Sequence, residues 1–233
     1  MLWFLIACFL PAFLISTSMT IVIRRYAASW GLVDQPAARK VHVAATPLGG
    51  GLAIYLGFLL PMLIAQVLVL LVQKEMISSS WIPSVLVEHV DGVSYRSAQL
   101  WWLLGTASIL VLVGVLDDRF GLSWRLRLLV QFAVAITLVM SGVSASLFVS
   151  QPWVGQIVSV LWIVALINSL NFLDNMDGLS AGIGLIAATM FASIMLTSVG
   201  EPRWLVGGCL VVLAGSLAGF LCHNWSTASI FMG

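Results

Sequence analysis

Polar and ionisable side chains of this sequence gather in four short clusters, which long apolar stretches separate. The clusters are residues 34–42, 117–121, 168–178 and 222–225. They bring carboxylates, amides, basic side chains and histidines together at short spacing. Groups of these types bind divalent cations and phosphates, so the clusters are where chemistry is expected.

The second cluster begins with two adjacent carboxylates, Asp117 and Asp118. Adjacent carboxylates repel each other, and an apolar neighbourhood increases the cost of keeping both ionised. A divalent cation or an arginine relieves that repulsion. Two interpretations are therefore open: the pair serves a bound cation, or Asp118 pairs with Arg119 or Arg125 while Asp117 is solvated.

The third cluster carries Asn171, Asp174 and Asp177 at intervals of three residues. If the fifth predicted helix continues for another turn, the three side chains lie roughly on one face. Oxygen ligands of this kind suit Mg²⁺, which is commonly held by one or two carboxylates together with substrate phosphates. In the alternative interpretation, Asp177 only caps the next helix, a position that Asp favours.

The first cluster is basic and contains Lys40 and His42, which are candidates to bind phosphate. The glycine run at residues 49–51 has two explanations, close helix packing or a phosphate-binding turn. Elsewhere, positions in the middle of the apolar stretches are almost wholly apolar. That argues against a transport pathway, since transporters place ionisable residues near the membrane midplane.

Composition places these clusters in a membrane protein. Hydrophobic residues make up 61% of the 233 residues and charged residues 8%, with 10 Lys and Arg against 9 Asp and Glu. A soluble domain carries about 25% charged residues. These values exclude a soluble globular domain, a nucleic-acid-binding protein that uses a basic surface, and a disulfide scaffold.

The uncharged stretches predict seven transmembrane helices, because each crossing needs about 20 mostly apolar residues. The helices lie near residues 2–23, 49–72, 99–116, 126–142, 153–170, 178–199 and 204–222. The predicted fold class is an all-α polytopic membrane protein, with residues 1–233 in a single integral membrane domain.

Basic residues predict how these helices are oriented. Seven of them lie in connections on one side of the predicted topology, and Lys74, Arg96 and Arg203 lie on the other. By the positive-inside rule, the N-terminus is outside, whereas the C-terminus and all four clusters are cytoplasmic.

Taken together, the motifs resemble those of the polyprenyl-phosphate N-acetylhexosamine-1-phosphate transferases, glycosyltransferase family 4. The matching stretches are Asp117-Asp118-Arg119-Phe120-Gly121, Asn168-x-x-Asn171-x-x-Asp174-x-x-Asp177-Gly178-Leu179, and Asp34-x-Pro36-x-x-Arg39-Lys40-x-His42 with Pro47-x-Gly49-Gly50. They occur in family order and at family-like separations. The Asp-Asp-Arg-Phe-Gly and Arg-Lys-x-His forms resemble the branch that uses UDP-N-acetylglucosamine.

The resemblance implies a Mg²⁺-dependent transfer of N-acetylglucosamine 1-phosphate from a UDP-sugar to undecaprenyl phosphate, with release of UMP. It implies a bacterial inner-membrane enzyme whose active face is cytoplasmic and which initiates a cell-envelope polysaccharide such as lipopolysaccharide. Mn²⁺ is an alternative cofactor, a homodimer is compatible with the sequence, and no nucleic-acid partner is expected. The rival interpretations are a phospho-N-acetylmuramoyl-pentapeptide transferase, a lipid-phosphate transporter and a non-catalytic scaffold.

The resemblance also implies roles for individual residues. As catalytic candidates, Asp117 would deprotonate or position the lipid phosphate, and Asp118 would help to hold the metal. Asn171 is the preferred Mg²⁺ ligand. The nucleotide-sugar candidates are Asp174 and Asp177, and the phosphate-binding candidates are Lys40 and His42.

The sequence departs from the family pattern in two places. Asp174-Asn175 stands where the family commonly has Asp-Gly. In the family, a stretch similar to residues 230–233 runs into an Asp-Ser-Gly motif whose Asp is a metal ligand, and further helices and a His-rich sugar-binding loop follow. We therefore expect an N-terminal fragment that lacks a complete active site.

Overall fold

Long helices make up most of the computed structural model. This suits a membrane protein, because a helix satisfies the hydrogen bonds of its own backbone, which lipid cannot do. The structure describes residues 1–35, 45–76, 90–145, 151–198 and 200–233. Within those ranges the helices are α1 Leu2–Trp30, α2 Gly50–Gln73, α3 Val90–Phe120, α4 Trp124–Met140, α5 Pro152–Leu173, α6 Leu179–Ser193 and α7 Trp204–Asn224. A π-helical turn, Ile194–Ser198, continues α6.

The predicted all-α polytopic membrane fold is confirmed. Among the described residues, 6 helices are long and apolar enough to cross a membrane. The remaining one, α4, has 17 residues. The predicted helices match the observed ones in number and order, but α3 begins at Val90 rather than near residue 99. The orientation of the bundle stays a prediction.

The tightest packing joins α1, α2 and α7, where small residues let the backbones approach closely. At Gly57 of α2, an added Cβ would lie 2.6 Å from the Ser216 hydroxyl and 2.7 Å from Cβ of Ser16. The Ser216 hydroxyl donates a hydrogen bond to the carbonyl of Ile54 at 2.5 Å. At the preceding residue of α7, an added Cβ on Gly215 would overlap the carbonyl of Phe9 in α1. These contacts make α7 the centre of the described bundle.

A short antiparallel ladder precedes α2. Its strands are β1 Val33–Asp34 and β2 Thr46–Pro47, with Val33 opposite Pro47 and Asp34 opposite Thr46. The ladder brings together the two flanks of the basic cluster. Lys40 and His42, the predicted phosphate-binding residues, lie outside the described residues.

Candidate functional site

Described members of all four clusters meet at one end of the helix bundle. Asp34 lies close enough to Asp118 for their charges to repel. The amide of Gly178 donates a hydrogen bond to Oδ1 of Asn224 at 3.0 Å. The amide of Gly233 donates to Oδ2 of Asp174 at 3.2 Å. This convergence is the one that the alternating topology predicts.

A cavity of about 650 Å³ opens at this end between α3, α4 and α5 and extends to α6 and α7. Its polar wall combines residues from the ends of three helices: Asp117, Asp118, Arg127, Gln131, Asn168, Asn171 and Asp174. Its apolar wall includes Leu110, Val113, Ile167 and Leu213, which lie further along the membrane helices. The cavity therefore joins a charged end to an apolar interior.

In the Asp117–Asp118 pair, the charge of Asp117 is balanced by Arg127, an arginine that the sequence did not single out. Nη1 of Arg127 donates to Oδ2 of Asp117 at 2.6 Å, and both side chains are partly exposed. The alternative in which Asp118 pairs with Arg119 or Arg125 while Asp117 is solvated is wrong. The guanidinium groups of Arg119 and Arg125 lie over the rings of their neighbours Phe120 and Trp124, at 5.1 and 5.4 Å from the ring centroids.

Local structure explains why Arg127 is the partner. The chain turns after α3, and Ser123 caps α4 by accepting a hydrogen bond from the amide of Leu126 at 3.4 Å. Arg127 then lies just inside the new helix, on the side that faces the last turn of α3. An ion pair of this length is a charge-assisted hydrogen bond, which fixes orientation more firmly than a neutral one.

Asp174 lies in an environment that opposes its charge. Burial raises the pKa of Asp174 to about 7, and the neighbouring Asp118 carboxylate adds to the rise, although the hydrogen bond from the Gly233 amide opposes it. Two half-buried carboxylates that repel each other are typical of a site that a cation occupies.

The donor set fits Mg²⁺ better than a softer metal. Among the described residues, no group of three or more His, Cys, Asp and Glu could hold a metal ion. The cavity instead offers the carboxylate of Asp118, the amide of Asn171 and the adjacent carboxylate of Asp174. Mg²⁺ commonly takes one or two protein carboxylates and completes its shell with waters and substrate phosphates. These residues fit that pattern.

Asp177 does not share a face with the other two members of its cluster. The helix α5 ends at Leu173, and Asp174 forms its C-cap, so the extra turn expected from the spacing is absent here. Oδ2 of Asp177 accepts a hydrogen bond from the amide of Ala228 at 3.0 Å. Nor does its side chain cap α6, whose N-cap is Gly178. Its predicted contact with the nucleotide stays a prediction.

The glycine run at the start of α2 is explained by close packing. The amides of Gly50 and Gly51 donate to the carbonyls of Phe231 and Met232 at 3.0 and 2.8 Å. An added Cβ on Gly50 would overlap the ring of the buried Phe220. Because these amides already have backbone acceptors, the phosphate-binding turn is not supported.

Among the polar cavity residues, Arg127, Gln131 and Asn168 received no role from the sequence. Nδ2 of Asn168 donates to Oε1 of Gln131 at 2.6 Å, which joins α5 to α4. The sequence does contain a feature that points to them: Gln131 is a polar residue inside an apolar stretch and lies one helical turn after Arg127. Polar residues inside membrane helices usually face the bundle interior.

Comparison with known proteins agrees with this geometry. The family model for glycosyl transferase family 4 matches residues 100–233, which include both carboxylate clusters of the cavity. The chain belongs to glycosyl transferase family 4. Membership rests on more than half of the chain and on the helices that build the cavity.

Several curated relatives of this family 4 chain have named activities. A probable undecaprenyl-phosphate N-acetylglucosaminyl 1-phosphate transferase of Bacillus subtilis is 32% identical, over 98% of this chain and 58% of its own length. A decaprenyl-phosphate N-acetylglucosaminephosphotransferase of Mycobacterium leprae is 38% identical, over 86% of this chain and 50% of its own. An undecaprenyl-phosphate alpha-N-acetylglucosaminyl 1-phosphate transferase of Escherichia coli is 28% identical, over 78% and 45%. This family 4 chain thus spans about half the length of these relatives.

Proposed function

We propose that this protein transfers N-acetylglucosamine 1-phosphate from UDP-N-acetylglucosamine to a polyprenyl phosphate, with release of UMP. The observation that carries the proposal is the cavity, whose charged end is continuous with an apolar wall between membrane helices. A lipid phosphate is amphiphilic in the same way. The names of the relatives support the same substrates.

The positions of the polar cavity residues suggest a role for each of them in this reaction. Asp117, held by Arg127, positions or deprotonates the lipid phosphate. Asp118 and Asn171 would hold Mg²⁺, and Asp174 would contact the metal shell or the nucleotide. When bound there, Mg²⁺ would supply positive charge to neutralise the phosphates and polarise the reacting phosphoryl group. Because nucleophile and electrophile are both anions, the main task of the protein is to align them and to screen their repulsion.

The apolar wall of the cavity is where the hydrocarbon chain of the lipid acceptor would bind. Leu110 and Val113 lie one to two turns before Asp117 along α3, and Leu213 belongs to the opposite helix α7. A polyprenyl chain packed there would leave its phosphate at the carboxylates. We propose that this end of the bundle is at the cytoplasmic face of a bacterial inner membrane, where UDP-sugars are available, and that the product starts a cell-envelope polysaccharide.

The test is UMP release by the protein expressed from its complete natural gene and purified in lipid nanodiscs. With UDP-N-acetylglucosamine, undecaprenyl phosphate and Mg²⁺, we expect UMP and a lipid-linked sugar in equal amounts. Asp117→Asn should abolish both, whereas Ser29→Ala, a change at an exposed side chain outside the cavity, should not. Absence of UMP release by the unaltered protein, or unchanged release by Asp117→Asn, contradicts the proposal.

Two further arms of this assay test the rival functions. UDP-N-acetylmuramoyl-pentapeptide replaces the UDP-sugar to test the related pentapeptide transferase, and its use in preference to UDP-N-acetylglucosamine would identify that branch. Movement of labelled undecaprenyl phosphate across the bilayer without any nucleotide would indicate a lipid transporter instead.

A further inference from the structure

The residues after α7 fold back toward the bundle, and Gly233 lies close to the cavity carboxylates. We name residues 225–233 the return segment. Its Phe231 amide donates to the carbonyl of Pro47 at 2.9 Å, and its Ser229 amide donates to the carbonyl of His223, also at 2.9 Å. Ile230 is fully buried against Ile23, Ala53 and Phe220. Ile230 therefore anchors the return segment in the packed core, whereas residues 225–227 and 233 are exposed.

Asn224, the last residue of α7, ties the return segment to the loop that follows α5. Only 2% of its surface is exposed. Its Oδ1 accepts from the amide of Gly178 at 3.0 Å, and its Nδ2 donates to the carbonyl of Ile230 at 2.9 Å. One buried amide thus joins two backbones that lie far apart in sequence. Losing it would leave a buried donor and a buried acceptor unpaired.

The end of the return segment lies against both carboxylates of the candidate metal site. The Gly233 amide donates to Oδ2 of Asp174 at 3.2 Å. Gly233 has φ 100, and an added Cβ would overlap the carboxylate of Asp118. Gly233 is therefore close to both carboxylates.

We infer that Asn224 is a positioning residue of this site: through Gly178 and Ile230 it holds the return segment so that Gly233 sets the spacing of Asp118 and Asp174. The inference deepens the proposed function, on which it rests for the meaning of the site. Asn224 acts on the site through the backbones of Gly178 and Ile230 and does not itself contact the substrate.

The first test measures local structure and metal affinity in the purified protein, with Mn²⁺ as the probe. Asn224→Ala is compared with Asn175→Ala, the loss of an exposed amide that donates a hydrogen bond to the carbonyl of Phe172 at the end of α5. In metal-free protein, Asn224→Ala should speed hydrogen exchange of the amides of residues 228–233. Mn²⁺ affinity, read from the electron paramagnetic resonance signal of free Mn²⁺, should fall about tenfold or more, as for other groups that orient metal ligands. Asn175→Ala should change neither.

A second variant keeps the inference testable if Asn224→Ala fails to fold. Gly233→Ala leaves both hydrogen bonds of Asn224 in place but puts a methyl group into the carboxylate of Asp118. It should weaken Mn²⁺ binding to a similar extent while exchange at residue 228 stays unchanged. If Gly233→Ala binds Mn²⁺ as the unaltered protein does, the return segment does not set the spacing and the inference is overturned.

Activity measurements separate this inference from its rivals. For Asn224→Ala we expect a lower kcat and a higher Mg²⁺ concentration at half-maximal rate, with the KM for UDP-N-acetylglucosamine nearly unchanged. A raised KM with normal Mn²⁺ affinity would make Asn224 a substrate-binding residue and overturn its positioning role. If the unaltered protein releases no UMP, the proposed function fails, yet the exchange and Mn²⁺ results still decide whether Asn224 positions the two carboxylates.

Discussion

Arg127 is the residue whose role differs most between sequence and structure. In the sequence it is one of several basic residues near the carboxylate pair, together with Arg119 and Arg125. In the structure it alone of these three forms a salt bridge with Asp117, at 2.6 Å. Residue types and spacing cannot choose among these arginines, because the choice depends on the turn between α3 and α4. The basic side chain that pairs with Asp117 is therefore identified by the fold and not by the sequence.

We predict that Arg127→Met lowers the initial rate of UMP release at least tenfold. A hydrogen bond to a charged group contributes about 1.5–3 kcal/mol, and roughly 1.4 kcal/mol corresponds to a tenfold change in rate. The pair is partly exposed, so the lower part of that range applies. Arg127→Lys should retain an intermediate rate, because it keeps the charge but not the planar donor geometry.

Arg125→Gln is the matched control for this prediction, since the Arg125 guanidinium lies over the Trp124 ring. It removes an equal charge from the same helix and should leave the rate within a factor of two or so. Equal losses in Arg127→Met and Arg125→Gln would show that the rate responds to the general charge of this surface and not to the ion pair with Asp117.

At the scale of elements, the apolar runs predicted the helices well and their ends less well. A run of apolar residues marks the thickness of the membrane, whereas a helix ends where its backbone finds a cap. In the structure α3 extends to Val90, ahead of the apolar run that predicted it. The opposite error occurred after α5, where the spacing of Asn171, Asp174 and Asp177 suggested one more turn but the helix ends at Leu173.

The close contact of α1 with α7 makes a prediction about stability. In Gly215→Ala the new methyl group would overlap the carbonyl of Phe9, which is backbone and cannot move aside alone. Overpacking of this kind costs about 1–3 kcal/mol. We expect the midpoint of thermal unfolding in detergent to fall by several degrees, as measured by intrinsic tryptophan fluorescence or by loss of monodisperse protein after heating.

Gly105→Ala in α3 is the control, because an added Cβ there meets nothing within 4 Å. Alanine also has the higher helix propensity, so this variant should unfold at the same temperature or slightly above it. If both variants shift the midpoint equally, the α1–α7 contact is looser than the structure indicates.

At the scale of the whole molecule, sequence reasoning predicted that the four clusters meet at one end of the bundle. Once the number of membrane helices is known, their alternating direction determines at which end of the bundle each connection lies. The return segment could not be predicted in the same way. Its contacts join residues distant in sequence, such as Gly233 with Asp174 and Ala228 with Asp177. No local pattern indicates that the short stretch after this membrane helix will fold back and bury Ile230 in the core.

The orientation of the bundle is the remaining property of the whole molecule that the sequence predicts, and cysteine labelling tests it. In the topology predicted from sequence, seven of ten basic residues fall on the side of the four polar clusters, so the cavity end should be cytoplasmic. With Cys8, Cys209 and Cys222 replaced by Ala, single cysteines are introduced by Asn175→Cys at the cavity end and by Gly200→Cys at the other; both positions are exposed. In intact cells a membrane-impermeant maleimide should label only Gly200→Cys, and permeabilisation should add Asn175→Cys. The reverse pattern would place the carboxylates outside, away from cytoplasmic UDP-sugars, and would contradict the proposed transferase as well as the orientation.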